Sequence, residues 1–142
     1  MTVLAEAAQV LGLQKANKRA GDIVYLDMVD RGFPVRSLER ISEAIAPDDN
    51  GFKYRIVPKA SLARSRNAKR LSSAHSVVVA RLASVWATAL RIWKSEGAAR
   101  AFLHRAHPLL AGRRPLDLVL ENEIGADLVR SILGRLEYGS AV

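Results

Sequence analysis

Residues 109–138 read LLAGRRPLDLVLENEIGADLVRSILGRLEY, and the fold class is decided there. Gly112 can take backbone angles closed to bulkier residues. Pro115 stands where a helix can begin, because its missing N–H is one of the donors a first turn leaves unpaired. Asp117 would then lie inside that first turn, where exposed amide donors favour a carboxylate. Capping is its simpler role, with catalysis the alternative. Leu116, Val119 and Leu120 can bury the short helix, and a turn is expected near Glu121 to Gly125. Beyond it Ile124, Leu128, Ile132 and Leu136 recur every four residues. Val129 and Leu133 broaden them into a wide packing face rather than a narrow coiled-coil seam. Gly139 is a reasonable stop for the helix. No nucleophile is paired with a base anywhere in the stretch, which points to a helical interaction module rather than an enzyme.

Upstream, a long helix is expected from about Ser73 to Lys94, with Val78, Leu82, Val85, Ala89 and Ile92 on one continuous apolar stripe. Trp86 and Trp93 are seven residues apart and share a side of that helix; core packing is the reading for both, with partner recognition the alternative. Gly97 is read as the break after it. Ala98, Ala99, Phe102, Leu103 and Ala106 form the apolar side of the next helix, which should stop near His107-Pro108. His75, His104 and His107 have no Cys or convergent acidic residues beside them, so they read as surface or capping residues and no metal or other cofactor is expected.

In the first half, Gly12 and Gly21 punctuate an opening that is either a short helix or an untethered terminus. Val24, Met28 and Val29 can line a short helix interrupted by Gly32 and Pro34. Val35, Leu38, Ile41 and Ile45 line a second one. Asp49 or Asn50 can cap the turn that follows Pro47. Seven cations then lie between Lys53 and Arg70 with no acidic residue among them. Pro58 should separate a short helix ending near Val57 from another at about Ala60 to Arg66. Two short helices about a turn suggest helix-turn-helix geometry, the second presenting cations to a phosphate backbone. A solvated face and an acidic protein contact are the competing readings.

The 142 residues are 49% hydrophobic, enough for one domain or two small helical lobes. The formal charge of +8, from 22 Lys plus Arg against 14 Asp plus Glu, suits nucleic acid, an acidic protein or a phosphorylated ligand without choosing among them. Without cysteine there is no disulfide or thiolate ligand. The opening MTVLAEAAQVLGL is a poor secretion signal, and no uninterrupted apolar run approaches the length that crosses a bilayer. A soluble cytoplasmic protein with no membrane partner is the expectation.

Two segments carry a family resemblance: His107-Pro108-Leu109-Leu110-Ala111-Gly112-Arg113-Arg114-Pro115-Leu116-Asp117-Leu118 and Leu133-Gly134-Arg135-Leu136-Glu137-Tyr138-Gly139. In order and spacing they resemble the Xre/MbcA/ParS antitoxins, most closely in the C-terminal toxin-binding domain. The resemblance implies an all-α chain with a flexible or short helical segment at 1–20, an Xre-like helix-turn-helix region at 21–72 and a compact helical toxin-binding domain at 73–142. It implies a RES-domain, NAD-consuming toxin as partner, neutralised by covering or entering its NAD cleft, with no catalysis by the antitoxin itself. Carried over residue by residue, the toxin-binding positions are Gly112, Arg113, Pro115, Asp117, Arg135, Glu137, Tyr138, Gly139 and Val142. Candidate DNA contacts are Lys59, Ser61, Arg64 and Arg66, for autoregulation of an operon. A homodimer within the toxin complex is expected from the habits of Xre-like regulators. The family often has Thr before Pro-Leu-Asp, where it can cap the helix; Arg114 stands there instead and cannot accept that bond. A transcriptional regulator that neutralises no toxin is the alternative reading.

Overall fold

The structure is a computed structural model that describes residues 2–13 and 21–139. Among the described residues the chain forms nine α-helices and no strand, so it is all-α as the periodicity indicated. It divides into two compact units, Met1–Ser84 and Val85–Val142.

In the first unit, α1 (Val3–Val10) is capped by Thr2, whose side chain accepts from the Ala5 N–H at 3.0 Å. Helix α2 (Gly21–Arg31) buries Gly21 and Tyr25. Val24, Met28 and Val29, expected to line its inner side, are only half-buried. The aromatic ring, which stacks obliquely on Phe33 at 5.5 Å, takes the inward position instead. Helix α3 (Val35–Ile45) buries Leu38, Ile41 and Ile45 on one side, as their spacing requires. Asp49 then accepts from the Gly51 N–H at 2.9 Å. Pro58 separates α4 (Lys53–Ile56) from α5 (Lys59–Ala68).

The link between α2 and α3 is tied to the start of α6 (Ser73–Trp93). The Leu71 N–H donates to the Phe33 carbonyl at 2.8 Å. The Phe33 N–H donates to Ser76 Oγ at 2.8 Å, and that hydroxyl donates to the Ser72 carbonyl at 2.8 Å. Ser76 is fully buried, and its hydroxyl satisfies a backbone donor that no helix serves. Helix α6 is long enough, and with a mean hydropathy of 1.3 apolar enough, to cross a membrane by length and composition. Arg81 lies in its middle, and Val79, Leu82, Val85 and Trp86 are buried within protein.

In the second unit α6 ends at Lys94, which takes a left-handed φ of 59°. Ser95 caps α7 (Glu96–His104) by accepting from the Ala98 N–H at 3.0 Å. The break therefore falls at Lys94, and Gly97, read as the break, lies in the first turn of α7. Ala99 and Leu103 are buried while Ala106, beyond the helix end, is exposed. Helix α8 (Pro115–Glu121) and helix α9 (Glu123–Glu137) are joined by Asn122 alone, whose side chain accepts from the Gly125 N–H at 3.0 Å.

The packing face of α9 differs from the expected one. Gly125, Ala126, Val129, Ile132 and Leu133 are buried, whereas Ile124 is 72% and Leu128 50% exposed. The cause is Gly125, whose Cα lies against the Leu118 backbone so closely that no side chain fits. That contact sets the rotation of α9 and turns Ile124 outward. The four-residue ladder therefore joins the buried face only at Ile132 and, half-buried, Leu136.

Candidate functional site

The loop before α8 is closed by backbone bonds that converge on His107. Its N–H donates to the Arg113 carbonyl at 3.0 Å, and its carbonyl accepts from Leu110 and Gly112 at 3.0 and 3.1 Å. Its ring Nδ1 accepts from the Leu109 N–H at 3.1 Å, which leaves the ring proton on Nε2. Ala111 and Gly112 follow with left-handed φ values of 56° and 76°. The conformation expected of Gly112 is thus present, and Ala111 shares it. His107 has the capping role its lack of ligand neighbours suggested, extended to organising the whole loop.

Arg114 occupies the N-cap position of α8 without a side-chain cap bond. Its guanidinium instead grips Asp117 in a fork, with Nε to Oδ2 at 3.0 Å and Nη2 to Oδ1 at 2.9 Å. The hydrogen bond from Asp117 raises the Arg114 pKa above its ordinary value, its charge adding to the shift and desolvation opposing it. Asp117, read as a carboxylate facing free amides, is the partner of the residue at the N-cap position. Arg113 pairs with Glu121, 2.6 Å apart, and Pro115 is buried as the first residue of the helix.

At the other end of the hairpin, Glu137 accepts from Arg91 Nε at 3.0 Å. Tyr138 is 83% exposed and Gly139 ends the helix with φ 74°. Arg135 is exposed in the last turn of α9. Val142 lies outside the described residues. His107 and Leu136 line one groove, so the start of the first motif and a residue of the second meet there. Trp93, read first as a core residue, is 38% exposed and lines it too, whereas Trp86 is buried beneath Arg100 as that reading expects.

In the first unit, Lys59, Arg64 and Arg66 are exposed on α5, while Leu62 and Ser65 bury its other side. Ser61 Oγ accepts from Arg64 at 3.2 Å. Glu39 takes both Arg66, at 3.6 Å, and Lys53, at 3.4 Å. Two of the seven cations in that run are thereby partly neutralised by α3. Tyr54, missed in the sequence, stands beneath both Lys53 and Lys59, with the ammonium groups 5.6 and 5.0 Å from its ring centre. No cluster of three or more His, Cys, Asp or Glu that could hold a metal occurs among the described residues.

Residues 88–139 match the family model described as the antitoxin Xre/MbcA/ParS C-terminal toxin-binding domain. The match spans the closed loop, α8 and α9, and includes both motifs that suggested this family. No curated protein matches the chain. The segment is similar to a toxin-binding antitoxin domain, and a toxin is the class of partner such a domain serves.

Proposed function

We propose that the chain is the antitoxin of a toxin–antitoxin pair and neutralises a RES-domain, NAD-consuming toxin by covering its active site. The observation that carries this is the match of residues 88–139 to a toxin-binding domain. The chain acts by binding and not by turnover. The toxin-facing residues are Gly112, Arg113, Pro115 and Asp117 on the loop and α8, with Arg135, Glu137, Tyr138, Gly139 and Val142 at the end of the chain. Gly112, Pro115 and Asp117 set the shape, and Arg113, Arg135, Glu137 and Tyr138 supply polar anchors. The test is co-purification with a RES toxin encoded beside it, followed by an NAD-consumption assay. A stable complex with suppressed NAD loss is expected; a toxin that neither binds nor slows overturns the reading.

A second role, operator binding by residues 21–72, is favoured by the α4–Pro58–α5 arrangement and the exposed Lys59 and Arg64. Ser61 and Arg66 complete the contact set. Each phosphate contact made by a cation should steepen the salt dependence of binding by roughly one unit of log–log slope. Arg64→Ala with Arg66→Ala should therefore weaken operator binding and flatten that slope in a gel-shift titration. In this role the chain is a homodimer.

A further inference from the structure

The charges of the second unit are unevenly matched. Glu96, Asp117, Glu121, Glu123, Asp127 and Glu137 are all its acidic side chains among the described residues. Every one of them pairs with an arginine: Arg100, Arg114, Arg113, Arg130 twice and Arg91. Lys94, Arg105 and Arg135 have no such partner among the described residues. Of these three, Arg105 lines a groove.

Trp93, Ala106 and Leu136, together with Phe102, His107 and Arg105 itself, line a groove of about 380 Å³. That volume lies in the range of roughly 300–1,000 Å³ typical of built binding pockets. Its walls are apolar. Trp93 stacks obliquely on Phe102 at 6.0 Å, and Phe102 meets the His107 ring edge-on at 6.3 Å. Alanines 98, 101 and 106 leave the hollow between them open. An apolar hollow whose charged wall residue, Arg105, has no acidic partner among the described residues is complementary to an apolar side chain carried on an acidic segment.

We infer that this groove is a docking site for an acidic segment of the protein partner, which inserts an apolar anchor between Trp93, Phe102 and Leu136. The inference rests on the toxin-binding reading above and adds a surface next to the α8 loop, with His107 common to both. Arg105 steers the segment, and the aromatic walls hold it.

The full chain and its toxin supply the test, with affinity measured by calorimetry. Ala101→Glu, at an exposed wall position, places bulk and negative charge in the hollow and should weaken the complex roughly tenfold or more. Arg105→Glu should also weaken it and reduce its salt dependence. Ser131→Glu, exposed on α9 away from the groove, should keep wild-type affinity. Circular dichroism and thermal melts establish that each variant folds. A photo-reactive benzoylphenylalanine at position 101 should cross-link to an acidic stretch of the toxin. If the wild-type chain fails to bind the toxin, the proposed function falls and this inference with it. If the wild type binds and the groove variants bind equally well, the inference alone is overturned. Cross-linking to a second copy of this chain, or loss of a homodimer on Ala101→Glu with the toxin complex intact, also overturns it.

Discussion

Gly125 lies with its Cα against the backbone of Leu118, where a methyl group would collide with the carbonyl oxygen and carbon. This approach brings the start of α9 onto α8. Gly125→Ala should destabilise the fold by about 1–3 kcal/mol, because the obstacle is backbone rather than a side chain that can swing away. Gly134, in the same helix, has open space where its Cβ would be. Gly134→Ala should therefore raise stability by about 0.4–1 kcal/mol through the lost freedom of the unfolded chain. Urea titrations of the two variants check the contrast, and equal destabilisation would remove the special role given to Gly125.

The Arg114–Asp117 fork replaces a cap with an ion pair. Arg114→Ala should cost about 0.2–1 kcal/mol, a modest figure because the pair is well exposed, and the cost should shrink as salt is added. Arg114→Thr should recover part of that loss by capping the first turn, a contribution that salt does not screen. Thermal melts of the three proteins across a salt series separate the two devices. A loss for Arg114→Ala that is insensitive to salt would argue that side-chain packing, not charge, is at work.

Tyr25 is buried and its hydroxyl has no hydrogen-bond partner among the described residues. Tyr25→Phe removes an unsatisfied polar group and should stabilise the fold by about 1 kcal/mol at neutral pH. Burial also pushes the hydroxyl well above its ordinary pKa of 10.0. Below that ordinary value both states keep the proton and stability does not depend on this group. Above it the unfolded chain ionises first, so wild-type stability falls as pH rises. The gap between variant and wild type should widen in alkaline urea melts, and a gap that stays constant with pH would contradict the burial of the hydroxyl.

Ser76→Ala would leave the Phe33 N–H buried without its acceptor. The expected cost is about 1–3 kcal/mol, more than a surface serine would show. Hydrogen exchange at the Phe33 amide is the direct readout, and unchanged protection there would mean another acceptor takes over.

Local rules carried much of this structure, and particular neighbours decided the rest. Pro115 as a helix start, the left-handed Gly112, the break at Pro58 and the Leu38–Ile41–Ile45 face follow from single-residue geometry and spacing. The outward turn of Ile124 and Leu128 does not, because it depends on Gly125 meeting a carbonyl seven residues earlier. Nor could a charge count show that Glu39 draws on Arg66 and Lys53, since all three sit on different helices. The break at Lys94 was hidden for another reason: a lysine in a left-handed conformation leaves no mark in composition, whereas the nearby Gly97 looked the natural place. At the candidate site, motif order placed the loop and the end of α9, but only folding put His107 and Leu136 in one groove.

Asn122 is the only residue between α8 and α9, fully extended and capping the second helix with its own side chain. A joint that short tolerates no change of length. One added residue would put slack where the chain must deliver Gly125 to Leu118, and one removed would bring the helices into collision. Surface loops elsewhere absorb insertions at little cost, but here the count of residues from Pro115 to Glu137 is itself a structural dimension. Descendants of this gene can vary the letters of the hairpin far more freely than its length.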